Sequence, residues 1–361
     1  MFRRKVMSTG ARNRPSSTFR RTASWLSALL IAGAATPGAY GQTCSAGKPK
    51  VTTEKWTAAK TKSNGAEITI YSAPTDHGAQ LQITSGVDKS LWVASVTASA
   101  LVKLSTKGAA TLYYTPTPGA NPEAVAANGN SMFFTEWATP CAGALNKSGK
   151  KIAEFSTGLS ETQSTNMATG PGKKTWFVTD FDGIGSISSK NKVKIYSFDD
   201  DGNQPTAITA GPDGNMWFID NNGPNVGYIT PKGAVTEYSA GLGNLYSFGI
   251  AAGSDGRIWF ADNGNNSIGA ITADGKTVSD YTQGFTGDPI SIVAGPDGNL
   301  YFGETTPVVG RITPAGVVTE YPFPASEGTF SILSLAVGPD GNIWFANNPH
   351  SQVGVLKLPI K

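Results

Sequence analysis

Between Pro205 and Tyr238 the chain runs through one complete unit, PTAITAGPDGNMWFIDNNGPNVGYITPKGAVTEY, and no other feature limits the fold as strongly. Thr206–Ala210 is short and apolar, and the GPDGN that follows signals a tight turn. MWFID is a second strand, NNGPN a looser connection and VGYIT a third strand. TPKGA is another tight turn, and VTEY closes the unit as a fourth strand. A four-stranded sheet of this kind has two apolar faces and cannot bury both alone. It needs copies of itself on either side.

Three anchors count the copies. The apolar residue of the first strand recurs at Ile83, Val125, Met167, Ile208, Ile250, Ile292 and Leu335. The aromatic of the second strand recurs at Trp92, Phe133, Trp176, Trp217, Trp259, Tyr301 and Trp344. The aromatic of the fourth strand recurs at Tyr71, Tyr113, Phe155, Tyr196, Tyr238, Tyr281 and Tyr321. Successive members of each series lie 40 to 43 residues apart, the spacing of propeller blades. The expected fold is all-β: a seven-bladed β-propeller of four-stranded antiparallel blades. The third series begins before the first first-strand anchor and has no member after Leu335. Glu67–Ser72 (EITIYS) is therefore expected to be the outer strand of the last blade, closing the ring by pairing the two chain ends.

Residues 1–41 carry seven Lys or Arg and no Asp or Glu, and hold a short apolar run, Trp25–Ala35. Small residues at Ala39 and Gly41 suit cleavage before Gln42, so this segment is expected to be an export signal, and the mature protein periplasmic or secreted. The apolar run is too short to span a bilayer, so no membrane span is expected in the mature protein. Without that segment 22 basic residues face 26 acidic ones, which excludes a nucleic-acid footprint as the dominant surface. A polar segment, residues 42–66, then leads into the propeller at residues 67–361. Cys44 and Cys141 are an even pair in an exported chain and read as one disulfide, the alternative being two thiols.

Tight turns join strands one to two and three to four, whereas the other connections are longer and share the opposite face of the ring. Function is expected on that loop face. Two residues before the first-strand anchor stand Leu81, Glu123, Thr165, Thr206, Phe248, Ile290 and Leu333, around the central opening. Three residues after the second-strand aromatic stand Ser95, Glu136, Thr179, Asp220, Asp262, Glu304 and Asn347. This mostly acidic series reads as carboxylates that each cap a loop through backbone N–H groups, rather than as an acidic ring. Trp137, Tyr246 and Phe248 are candidate ligand-stacking rings, with packing inside their own loops as the alternative. Asp180, Asp182, Asp199 and Asp201 form an oxygen-rich group that suits Ca²⁺, or else a solvated acidic surface. His77 and His350, the only two histidines, fall in one sector of the loop face and read as a weak base or metal pair, or as exposed loop residues.

The repeated AGPDGNMWFID, NVGYITPKGAVTEY, AGPDGNLYFGE, VGRITPAGVVTEYPFP and VGPDGNIWFANN resemble the streptogramin lyase (virginiamycin B lyase) family over Glu67–Lys361. The resemblance implies a seven-bladed propeller and, in active members, a metal-dependent elimination that opens a cyclic depsipeptide at its ester. It places the family's catalytic histidine on Leu333 and that residue's neighbouring glutamate on Ser331. A second histidine falls on Ile290 and a further glutamate on Asn348. None of these four side chains takes a proton near neutral pH or ligates a metal strongly. The expectation is a small-molecule- or protein-binding module on the loop face. The alternative is a Ca²⁺- or Mg²⁺-dependent lyase or lactone hydrolase acting on cyclic esters through other residues. One form of it is similar to calcium-dependent lactone-hydrolysing propellers, with Glu123 at the mouth and Asp220, Asp262 or Glu304 near a cation.

Overall fold

The computed structural model describes residues 5–7 and 43–358, apart from 75–77, 79, 160–161, 163, 180–182, 199–203, 222, 224, 240, 242–244, 325–330 and 349. The reference unit folds as four antiparallel strands, Pro205–Ala210, Met216–Asp220, Asn225–Ile229 and Val235–Ser239. Seven such sheets follow one another. Their first strands touch in sequence, and Ser331–Val337 of the seventh blade meets Gln80–Ser85 of the first, so the sheets form a ring. The fold is a seven-bladed β-propeller. No described helix is long and apolar enough to cross a membrane.

The repeated motif has a local physical reason. In GPDGN the Asp213 carboxylate accepts hydrogen bonds from the backbone N–H of Asn215 (3.1 Å) and from the indole Nε1 of Trp217 (3.1 Å). The turn thereby fixes the ring that begins the second strand. Gly214 sits at φ 79°, where a side chain is strained. A Cβ on Gly211 would stand 2.3 Å from the Trp217 ring. The same indole-to-aspartate bond recurs at Trp92–Asp88, Trp259–Asp255 and Trp344–Asp340, and the Tyr301 hydroxyl donates to Asp297. Each of these four indoles then stacks on the fourth-strand tyrosine of its own sheet, as in Trp259–Tyr281 at 5.3 Å and 7° between planes. The core continues into the next blade: Trp217, Ile219 and Val226 share it with Ile250, Ile258 and Phe260.

Ring closure follows the expected route, with one addition. Gln352–Lys357 pairs antiparallel with Ala66–Ser72, from Gln352↔Ser72 to Lys357↔Glu67. Tyr71 stacks on Trp344 across this seam at 5.6 Å. Ala66–Ser72 is nevertheless not the outermost strand, because residues 43–63 form a strap. Thr57–Ser63 adds a fifth strand to blade 7, Val51–Lys55 to blade 1 and Ala46–Gly47 to blade 2. A further short strand, Lys5–Met7, runs parallel to the rim strand of blade 4. The strap carries little apolar periodicity, since TAAKTKS mixes lysines with small residues. Its outer side stays in water, as suits an edge strand.

The strap is fastened at blade 2. Cys44 and Cys141 form a disulfide with Cα atoms 5.8 Å apart, and the Ser45 N–H donates to the Glu154 carboxylate at 2.9 Å. The crosslink closes a sequence separation of 97 residues. Replacing both cysteines with alanine is expected to destabilise the protein by about 2–4 kcal/mol. A chemical-denaturation curve of the double variant against the oxidised parent measures it, and coincident curves would show that the strap holds without its crosslink.

Candidate functional site

The mouth of the channel is built where the first strands leave regular pairing. The ladder between first and second strands skips Glu123 in blade 2, Thr206 in blade 4, Ile290 in blade 6 and Leu333 in blade 7. In blade 1 it skips Leu81 and Gln82. These are members of the mouth series singled out by spacing, and bulges of this kind re-aim a side chain. In blades 3 and 5 the first strands begin at Met167 and Gly249, so Thr165 and Phe248 stand just before them. Glu123, Thr206 and Ile290 are buried, while Leu81, Thr165, Phe248 and Leu333 are half-buried.

The series divides the mouth into two arcs. Phe248, Ile290, Leu333 and Leu81 follow one another through blades 5, 6, 7 and 1, and Glu123, Thr165 and Thr206 through blades 2, 3 and 4. The polar arc is tied together by its own hydrogen bonds. The Thr165 hydroxyl donates to the Thr206 carbonyl (2.9 Å), and the Thr206 hydroxyl donates to the Ser247 carbonyl (2.6 Å). The Gln82 amide donates to the Met167 carbonyl (2.9 Å) and accepts from the Val125 N–H (2.9 Å), which links blades 1, 2 and 3. The apolar arc instead presents the half-buried Phe248, Leu333 and Leu81, with Ile290 buried among them. Beside it, Tyr246 meets Phe248 edge to face at 5.1 Å.

The other candidates are placed as follows. Trp137 is half-buried on the loop leaving the second strand of blade 2, where its N–H donates to the Asn121 carbonyl. Blades 3 and 4 stand between it and the Tyr246–Phe248 pair, and no ring contact joins them among the described residues. His350 is half-buried, with its Nε2 shielded from water and without a hydrogen-bond partner among the described residues. Asn348 is fully buried, and neither its amide oxygen nor its nitrogen has a partner among those residues. It stands opposite Ser331 in the seventh blade. His77, Asp180, Asp182, Asp199 and Asp201 lie outside the described residues. Among the described residues no group of three or more His, Cys, Asp or Glu is arranged to hold a metal ion.

The acidic series after the second-strand aromatics holds loops. Asp220 accepts from the Gln204 N–H (2.8 Å). Asp262 accepts from the N–H groups of Tyr246 (3.2 Å) and Gly264 (3.1 Å), and Glu304 from the Thr306 hydroxyl (2.8 Å). Each is buried, and burial pushes the Asp262 carboxyl above its usual range. A second acid stands one residue before the fourth-strand aromatic in these blades: Glu154, Glu237, Asp280 and Glu320 in blades 2, 4, 5 and 6. Blades 1, 3 and 7 have Leu112, Ile195 and Ile70 there, and Ser95, Thr179 and Asn347 in the first position. The third-strand glycine makes room for the longer partner. A Cβ on Gly227 would lie 2.8 Å from the Glu237 side chain and 2.7 Å from the Phe218 ring. The spacing of the first acid was visible in the sequence; its meeting with the second in blades 2 and 6, Glu136 with Glu154 and Glu304 with Glu320, was missed, although both series could have been compared blade by blade.

Burial, and then the neighbouring Glu320, push the Glu304 carboxyl up to about 8. Burial and the nearby Glu154 also raise Glu136 well above the ordinary carboxyl range. The folded protein therefore holds a proton at Glu304 that the unfolded chain releases near 4.5. Between those values the native state binds more protons than the unfolded state, so stability falls as pH rises and levels off above about 8. Glu304→Gln is expected to flatten that decline. Urea midpoints of parent and variant measured from pH ~5 to ~9 check it, and an unchanged slope would count against a protonated Glu304.

With this geometry in view, comparison with known proteins is informative. The model of the Virginiamycin B lyase family matches residues 34–285 and 250–359. A streptogramin B lyase structure is 25% identical, covers 83% of this chain and 100% of its own, and superposes with a TM-score of 0.72. Virginiamycin B lyase from Staphylococcus aureus is also 25% identical, over 84% of this chain and 100% of its own, with a TM-score of 0.73. The extracellular domain of a putative hybrid two-component system from B. thetaiotaomicron shares the fold at 14% identity, over 78% of this chain and 40% of that one, with a TM-score of 0.62. No curated protein sequence matches significantly. The chain belongs to the Virginiamycin B lyase family.

Proposed function

We propose that this protein is an exported ligand-binding propeller, one that captures a ring-bearing amphipathic small molecule at the mouth of its channel without opening it. The observation that carries the reading is the apolar arc. Ile290 and Leu333 stand where the resemblance puts the family's histidines, at bulged mouth positions between Phe248 and Leu81. Alkyl side chains neither accept a proton beside a carbonyl nor donate a lone pair to a cation. Ser331 and Asn348, opposite each other in blade 7, supply neutral hydrogen-bonding groups where the resemblance expects glutamates. Leu333, Ile290, Ser331 and Asn348 do not fit the family's divalent metal. What remains suits recognition: apolar surface and an aromatic pair on one side, hydroxyl and amide groups on the other. Export is supported by the basic, then apolar, first 41 residues and by the Cys44–Cys141 disulfide.

A second reading, hydrolysis or elimination through other residues, is favoured by the buried Glu123 and by the shielded Nε2 of His350. One experiment separates the two. Virginiamycin B is titrated calorimetrically into the protein, with and without Mg²⁺ or Ca²⁺, and the mixture is chromatographed for ring-opened product. The binding reading expects saturable binding that is insensitive to chelator, no product, and affinity weakened about tenfold by Phe248→Ala. Metal-dependent ring opening that disappears in Glu123→Gln or His350→Ala would replace it with the enzyme reading, and no binding would remove this ligand class.

A further inference from the structure

The face opposite the mouth carries a charge pattern that ligand capture does not use. All connections between strands one and two, and between three and four, emerge at that end of the ring. In blades 1 to 3 they are lysine-rich: Lys107 in the blade 1 turn, Lys147, Lys150 and Lys151 in blade 2, Lys190 and Lys192 in blade 3. Lys89 and Lys173 lie on the first-to-second connections of blades 1 and 3. All of these side chains are exposed, and none is in an ion pair among the described residues. The strap adds Lys48 and Lys55 at the same end, opposite the starts of the fourth strands of blades 2 and 1. The acids present there are engaged: Asp88 pairs with Lys103 (2.6 Å), and Glu54 accepts from the Trp56 indole (3.2 Å).

The equivalent connections of blades 4 to 7 have the opposite sign. They carry Asp213, Asp255, Asp274, Asp297 and Asp340 against Lys232 and Lys276. Every one of these aspartates has a hydrogen-bonding duty in its turn. In blades 2 and 3 neutral groups hold the third-to-fourth turns, as Ser105, Thr230, Thr272 and Thr313 do in blades 1, 4, 5 and 6. Asn146 accepts from the N–H groups of Lys150 and Lys151, and the Ser188 hydroxyl from that of Lys192. The lysines project from these hydrogen-bonded turns. The arc is continuous, because Asn128 of blade 2 donates to the Lys173 carbonyl of blade 3, and Gly149 of blade 2 abuts Tyr113 of blade 1. The mature chain is acidic overall, so a basic arc on one end makes the molecule strongly dipolar.

We propose that this arc docks the propeller on an anionic phospholipid surface, with the mouth facing away from it. Lysine is a hydrated point charge on a flexible stem, suited to phosphate headgroups spread over a plane. A nucleic-acid site uses arginine forks and stacked aromatics, and these turns hold neither. Lysines at the ends of turns that all emerge on one side of a ring meet a plane together more readily than they line a groove.

Flotation of the full chain with phosphatidylglycerol-containing and pure phosphatidylcholine vesicles tests the proposal. Each lysine near an anionic surface contributes about fivefold in partition, so the combined Lys147→Gln, Lys150→Gln, Lys151→Gln variant is expected to lose on the order of 100-fold. The control Lys232→Gln, Lys276→Gln shares the same N-terminus and is expected to bind like the parent. Binding should require phosphatidylglycerol and fade as salt shortens the Debye length. Unfolded variants would be recognised by their melting curves, and the three lysines are exposed enough for the parent's curve to be retained. No phosphatidylglycerol-dependent binding, equal binding by both variants, or retention of duplex DNA with vesicles left unbound would overturn the proposal.

Discussion

The structure depends on the pairing of Gln352–Lys357 with Ala66–Ser72. Each blade buries one face against its predecessor and one against its successor, so an open row of seven would leave two apolar faces wet. It would also leave sheet edges ready to pair with other chains. Putting the two ends of the chain into one sheet removes both problems. Trp344, from near the C-terminus, stacks on Tyr71 and packs with Leu91, Val93 and Leu104 of blade 1. The seam is therefore continuous with the rest of the core. The strap crosses the same junction on the outside, touching blades 7, 1 and 2, and the disulfide holds its far end.

A closed ring of repeats makes the loop face and the turn face chemically separate. At the turn end, aspartates in the first-to-second turns fix indoles in blades 1, 4, 5 and 7, and neutral groups such as Asn146, Ser188 and Thr230 hold the third-to-fourth turns. Lys147, Lys150, Lys151, Lys190 and Lys192 at that end have no ion-pair partner among the described residues. At the loop end, buried carboxylates hold the connections from inside the sheets. Their desolvation is offset by loop N–H and hydroxyl donors, and where two acids meet, as at Glu304 and Glu320, by keeping a proton. These groups carry the loops, whereas at the mouth Thr165, Thr206 and Gln82 tie neighbouring blades together. The other mouth positions hold an alkyl and aromatic arc, Phe248, Ile290, Leu333 and Leu81.

Much of the fold was legible. Strand order, blade number and the closing role of Glu67–Ser72 all follow from three anchor series, because a repeat that cannot bury its faces alone must be copied at fixed spacing. The strap was not legible as strands. Thr57–Ser63 and Val51–Lys55 lie on the rim, where pairing comes from backbone groups and side chains face water, so no period-2 apolar signal was needed. The mouth series was found by counting back from the anchors, and bulges at Glu123, Thr206, Ile290 and Leu333 gave that count a structural meaning. Trp137 and the Tyr246–Phe248 pair, grouped by their common face, proved to be separated by two blades.

The sequence by itself determined the unit, its number and its turn chemistry, since each is a local matter: an aspartate four residues before a tryptophan, a glycine at positive φ, an aromatic every forty-odd residues. It also determined that the positions where the family resemblance expects histidines hold Ile290 and Leu333. Only the tertiary structure decided which residues share a neighbourhood. Gln82 reaches blades 2 and 3, Glu136 meets Glu154, and Lys150 shares an end of the ring with Lys107 and Lys190. Those proximities arise from closing the ring, and closure is a property of all seven blades together rather than of any one of them.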